Sequence, residues 1–189
     1  TPLMLSLRDE GIIGVLGDYS QRVRYVKGLL MQLCTLQSYR EMKLVFIYSQ
    51  EHEDEWMFAR WLPHVWSDNG EFRAIGTQRD TMRNISAYID ALCNEGDRHQ
   101  NDVERMCVVV LEDMVLGEQC QALTERMKNI QKQSMRVIAL AGQSNDLPKE
   151  CNSVIVVENT QGVLYKDIRK MSDHYLFELD AIPSERMWE

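Results

Sequence analysis

No stretch of this chain approaches the roughly 18 uninterrupted apolar residues that a membrane-crossing helix requires. Its five cysteines, Cys34, Cys93, Cys107, Cys120 and Cys151, are odd in number and scattered. Without a CxxC pair they encode neither a zinc site nor a thioredoxin-type motif. The four histidines, His52, His64, His99 and His174, never pair at i, i+4, and no HExxH is present, which excludes the metalloprotease helix. The G-x-S-x-G elbow of serine hydrolases is missing as well. Basic charge is scarce: 21 Lys and Arg stand against 29 Asp and Glu, a net charge of -8. Proteins that grip nucleic acid draw affinity from a basic face, so no nucleic-acid partner is expected. The densest basic cluster, Arg22, Arg24 and Lys27, reads as a solvated helix face. No cofactor or metal site is expected either. The chain opens at Thr1 with no initiator Met and no signal peptide, so it is expected to be a piece of a longer protein.

What is present is a globular composition, 44% hydrophobic and 26% charged over 189 residues. That length suits one domain, residues 1–189, with its own core. Short apolar runs at 12–16, 44–48, 106–111, 137–140 and 154–157, with a weaker one at 72–75, alternate with amphipathic segments. Runs this continuously apolar read as strands buried on both faces. Val23, Val26, Leu30 and Leu33 share one spacing with Met82, Ile85, Ile89 and Leu92 and with Cys120, Leu123, Met127 and Ile130. Each set makes an apolar stripe along a helix. Strands alternating with such helices predict an α/β fold, a mostly parallel sheet covered on both sides as a three-layer sandwich. Asp18 or Ser20 is the expected cap of the first helix and Asp80 of the helix before Met82. Residues 159–162 read as a hairpin turn, and 175–179 as an edge strand within a tail that runs on as a linker. Cys107 and Cys34 are expected as small buried hydrophobes, a usage that fits a reducing cytosol.

The first strand ends at Leu16-Gly17 and a helix follows, which is where a nucleotide-binding protein carries GxxxxGK[ST]. Counting from Gly17 puts Arg22 at the second glycine, Val23 at the lysine and Arg24 at the hydroxyl residue. Counting from Gly14 instead puts Tyr19 and Ser20 at the glycine and lysine positions. Asp18 adds negative charge where phosphates would sit. The segment reads as a strand-to-helix turn with a capping aspartate. The alternative is a non-standard anion site, in which a helix N-terminus is helped by Arg22 or Arg24. The run Val108-Val109-Val110-Leu111-Glu112-Asp113 resembles the acid-tipped strand that holds magnesium in ATPases. Glu112 and Asp113 would be the magnesium-side residues if any nucleotide bound; polar residues at strand ends are also ordinary.

The acidic run Glu51, Glu53, Asp54 and Glu55 is expected to supply the negative first turn of a short helix carrying Trp56. Pro63 should stop that helix. Trp56, Trp61 and Trp66 fall five residues apart. Core packing accounts for one or two of these rings, and an intermolecular contact is expected for the remaining one. His64, beside Pro63, is the histidine of most interest; Trp61, Pro63, His64 and Trp66 form the candidate interaction block.

The segment GIIGVLGDYSQRVRYVKGLLMQLCTLQSYREMKLVFIYS, followed by DEWMFARWLPHVWSDNGEFRAIGT, resembles the membrane-anchored FtsK/SpoIIIE-type ATPases of type VII secretion systems, called EssC in Firmicutes and EccC in actinobacteria, with EssC the closer branch. The match is strongest over residues 11–76, and the WLPHVW block carries it. The resemblance implies a RecA/FtsK-like P-loop NTPase fold with a degenerate Walker A loop. It further implies the first, membrane-proximal member of a string of ATPase-like domains, non-catalytic, at the cytoplasmic face of the membrane. Partners implied are other domains and subunits of the motor, membrane-channel components and, through the parent protein, WXG-type secreted substrates. The acid-tipped Glu112-Asp113 end departs from a dead site.

Overall fold

The alternation of apolar runs and amphipathic segments folds as a single mixed sheet between helical layers. The computed structural model describes residues 7–98, 105–167 and 174–179. Its strands are β1 (Ile12–Leu16), β2 (Met42–Ile47), β3 (Ile75–Gly76), β4 (Met106–Leu111), β5 (Met135–Ala141), β6 (Ser153–Glu158), β7 (Gln161–Tyr165) and β8 (His174–Glu178). Among the described residues these make one eight-stranded sheet in the order β3-β2-β4-β5-β1-β6-β7-β8. The six strands from β3 to β6 in that order are parallel. The last two join as antiparallel hairpin neighbours.

Successive strand residues point to opposite faces, and each face has its own core. Ile13 and Val15 of β1, Leu44 and Phe46 of β2, and Val108 and Val110 of β4 pack under α2 (Tyr19–Leu36) with Val23, Val26 and Leu30. Val45, Ile47, Val109 and Leu111 face the other way. They meet Met82, Ile85 and Ile89 of α4 (Arg79–Arg98) and Leu123 and Met127 of α6 (Gln121–Met127). Each fully buried aliphatic side chain contributes roughly 1.5–3 kcal/mol, and both faces are used, which explains why these strands carry no polar alternation. The remaining helices are short: α1 (Leu7–Glu10), α3 (Glu53–Trp56) and α5 (Met114–Glu118).

Several details depart from the sequence reading. The stripe from Cys120 to Ile130 is buried, but on α6 and a following 3-10 turn, Ile130–Lys132, rather than one helix. The run at 72–75 yields only the two-residue β3, because Phe72 and Arg73 turn back to bond with Ser67 and Trp66. Asp80 lies inside the first turn of α4 and is not its cap. Asp18 occupies the N-cap of α2 without a side-chain hydrogen bond, and Ser20 is inside the helix. The hairpin turn is tighter than read: Glu158 already pairs with Gln161, and Asn159 takes φ 52°. Cys34 is only half-buried, whereas Cys107 is fully enclosed. The edge strand falls at β8, one residue earlier than read; His99 and most of the expected tail linker lie outside the described residues.

Candidate functional site

Parallel α/β sheets bind ligands beyond the C-terminal ends of their strands, where the strand order reverses. Here that region lies beyond β1, β4 and β5, and the first feature of it is brevity. Only Gly17 and Asp18 separate β1 from α2, too few residues to wrap a phosphate group. Gly17 has φ 140°, and a Cβ there would stand 2.4 Å from the Val157 carbonyl oxygen of β6. The turn is therefore pinned against the neighbouring strand. The Arg22 guanidinium donates back to the Gly17 carbonyl at 2.9 Å and lies 5.1 Å from the Tyr19 ring centroid. Val23 is buried in the core beneath α2, and Arg24 is exposed. The side chain at the lysine position thus points away from the crevice.

Across the crevice, β4 hands over to Glu112 and Asp113, whose amides both donate to the Ile47 carbonyl at the end of β2. The Glu112 side chain is only 5% exposed. It accepts the Ser49 backbone N–H at 3.0 Å, and its other oxygen lies 2.7 Å from His52 Nδ1. The His52 ring sits 4.4 Å from that of Tyr19. Asp113 accepts the Leu116 N–H at 3.0 Å and so caps α5. A continuous run of contacts, Arg22–Tyr19–His52–Glu112, therefore spans from the β1 exit to the β4 exit. Burial pushes the Tyr19 phenol up to about 12, and the Glu112 and Glu55 charges push in the same direction. Among the described residues no group of three or more His, Cys, Asp or Glu could hold a metal ion.

The tryptophan block divides its three rings. Trp56 is fully buried against Phe46, Tyr48 and Phe58, at centroid distances of 5.8, 6.3 and 6.1 Å. Trp66 is half-buried, bridges Arg73 in antiparallel fashion, and takes the Arg73 guanidinium 4.3 Å above its ring. Its carbonyl accepts Lys43 Nζ at 2.7 Å; that lysine, almost fully buried, also reaches Asp68 at 2.9 Å. Trp61 is 82% exposed. The α-helix stops at Trp56 and a 3-10 helix, Met57–Trp61, ends at this ring; Leu62 is extended, and Pro63 opens a separate 3-10 turn through Val65. His64 is buried, with Nε2 2.9 Å from the Gln37 carbonyl at the end of α2. It ties two elements together, while His52, which the sequence did not single out, is the histidine at the crevice. The signal for it was positional: it follows β2 by five residues, as Glu112 follows β4 by one.

No protein-family model matches the chain, and no curated protein matches it. Solved structures do. The cytoplasmic domain of the Thermomonospora curvata type VII secretion ATPase EccC superposes with a TM-score of 0.61 at 12% identity, covering 95% of this chain and 24% of that one. EccC of the same organism (ATPases 2 and 3), solved with a signal sequence peptide, gives 0.62 at 10% identity over 95% of this chain and 38% of its own. EssC (ATPases 2 and 3) from Geobacillus thermodenitrificans gives 0.63 at 12% identity over 94% and 37%. The chain thus spans between about a quarter and two fifths of the length of these relatives. It has the P-loop ATPase-like fold of the EccC and EssC ATPase domains.

Proposed function

We propose that this chain is a non-catalytic ATPase-like module of a type VII secretion motor protein, the membrane-proximal member of its string of domains. In this role it connects the membrane part to the motor domains during protein export. The observation that carries the reading is the filled crevice. A two-residue turn replaces the phosphate loop, Val23 stands buried where a lysine would reach phosphate, and Tyr19, His52 and Glu112 occupy the space between the β1 and β4 exits. Glu112 and Asp113, the magnesium-side candidates, are committed to Ser49, His52 and the α5 cap. Two like-oriented features are needed for phosphoryl transfer, a cation on the outer phosphates and a free carboxylate on magnesium, and both sets of side chains are engaged elsewhere.

On this reading the domain works at the cytoplasmic face of the membrane, against other domains and subunits of the motor and the channel. Secreted substrates reach the parent protein through other domains; the signal-peptide complex of EccC is a property of that relative. The test is calorimetric titration of the purified chain with ATP and magnesium, alongside thermal unfolding. Absence of heat and of thermal stabilisation at millimolar nucleotide is the expected result. Saturable binding without turnover would replace the reading by a nucleotide switch. Magnesium-dependent turnover lost in Glu112→Gln would make the chain a non-standard ATPase using Arg22 or Arg24.

A further inference from the structure

The surface around the end of α2 is short of charge and rich in large apolar groups. Residues 28–39 contain no charged side chain, nor do residues 61–66, in a chain that is 26% charged. The His64–Gln37 hydrogen bond holds these two segments together. Around that bond, Trp61 is 82% exposed, Leu36 77% and Tyr39 44%, and Pro63 is exposed beside them. The segment that carries Trp61 is anchored on both sides in sequence: Trp56, Ala59 and Val65 are fully buried, and the Leu62 N–H donates to the Ala59 carbonyl. Exposed aromatic groups on an anchored, charge-poor segment are the composition of an interface centre.

From this surface we infer that Trp61, with Leu36, Tyr39 and Pro63, is the docking knob for an adjoining folded domain of the same polypeptide, one that offers an uncharged apolar socket. The inference rests on the motor-protein reading, which supplies that adjoining domain. Size selects the occupant. The exposed side chains amount to about 400–500 Å², well short of the roughly 800 Å² per partner that a stable complex between separate molecules buries. It matches the roughly 300–750 Å² per side of contacts between domains of one chain. A tether makes up the difference, because linkage supplies an effective concentration in the millimolar range. A lipid surface is the poorer fit. Anionic membranes recruit aromatic knobs that are ringed by basic residues. Here Arg60 is paired with Glu53, Arg40 lies over Tyr39, and the run Glu51 to Glu55 stands close by in sequence, on a chain of net charge -8.

The test places a photo-crosslinking p-benzoylphenylalanine at position 61 of the intact natural polypeptide, with the same residue at exposed Arg83 on the opposite face as the control. Irradiation should give an intramolecular cross-link from position 61 to a domain outside residues 1–189, found at the mass of a single polypeptide. Trp61→Asp, at a position 82% exposed and with its fold checked by circular dichroism, should lower the docked population at least about tenfold, read as increased hydrogen exchange on the cross-linked surface. Cross-links to a second polypeptide or to lipid, or a yield no greater than at position 83, would overturn the docking assignment while leaving the motor reading intact. An intact-mass measurement showing a polypeptide with no further domain would overturn both.

Discussion

The three tryptophans of residues 56–66 are equally spaced in sequence and unequally placed in the fold, so replacing each by alanine separates packing from composition. Trp56 is fully buried and touches three aromatic rings. Removing about 200 Å² of buried indole at about 25 cal/mol per Å² gives about 5 kcal/mol. Partial collapse of Phe46, Tyr48 and Phe58 into the space recovers part of it, and aromatic truncations in cores cost about 3–5 kcal/mol. Trp56→Ala is therefore expected to lose about 4 kcal/mol, a large share of the roughly 5–15 kcal/mol that holds a domain folded. Trp66→Ala loses half a ring and one cation–π contact and should cost about 1–2 kcal/mol. Trp61→Ala, at 82% exposure, should fall within about 0.5 kcal/mol of the parent. The assay is equilibrium urea unfolding followed by far-ultraviolet circular dichroism, with the slope held as a check that the denatured state is unchanged. Should Trp56→Ala fail to fold, Trp56→Phe keeps the comparison measurable at about half the cost. A Trp61→Ala loss above about 2 kcal/mol, or a Trp56→Ala loss below about 1 kcal/mol, would refute the division of the block into anchor and knob.

Three further outcomes follow from the crevice and its surroundings. Tyr19 and Tyr25 both have folded-state phenols raised to about 12, chiefly by burial. Their contribution to stability is complete below the ordinary value near 10 and is lost as pH climbs from there through about 12. Glu112→Gln should lower the Tyr19 titration, read by phenolate absorbance, and leave that of Tyr25 in place, because Glu112 charge is the second cause for Tyr19 alone. Gly17→Ala forces a Cβ to within 2.4 Å of the Val157 carbonyl at φ 140° and should cost at least about 3 kcal/mol in urea unfolding; Gly70→Ala, at φ 71° with nothing within 4 Å, should cost only about 1 kcal/mol. Lys43→Met strands the Trp66 carbonyl and should cost about 1–3 kcal/mol. It should also raise the Asp68 carboxyl, which the Lys43 hydrogen bond holds below its ordinary value. Asp68 contributes stability above its unfolded pKa and loses it as pH falls through the folded one, so the variant should show a shallower acid loss by carboxyl NMR titration.

The layout of the sheet was legible because each central strand is buried on both sides. Ile12–Leu16 and Met106–Leu111 stand out as unbroken apolar runs, and the stripes on α2 and α4 need only helical periodicity to be seen. What periodicity cannot give is where a helix breaks. The Cys120–Ile130 stripe continues in register across the junction of α6 with a 3-10 turn, so its burial was readable and its continuity was not. The absence of a phosphate-binding lysine was equally legible, since it depends on identities within eight consecutive residues.

The filling of the crevice was not legible, and the reason is topological. Tyr19, His52 and Glu112 lie 33 and 60 residues apart in the chain and meet only because the strand order carries the ends of β1, β2 and β4 to one edge of the sheet. No local pattern joins them: Tyr19 reads as a first-turn aromatic, His52 as one residue in an acidic stretch, and Glu112 as either a magnesium-side residue or an ordinary polar strand end. The Glu112 carboxylate is 5% exposed, accepts the Ser49 backbone N–H and lies 2.7 Å from the His52 imidazole. On the proposed non-catalytic reading, the acid-tipped strand end serves the fold, through the Ser49 amide and the α5 cap, instead of holding magnesium. Glu112→Gln is therefore the most informative single substitution. It keeps the Ser49 amide bonded, removes the charge that His52 and Tyr19 feel, and leaves a fold whose nucleotide response should be as flat as that of the parent.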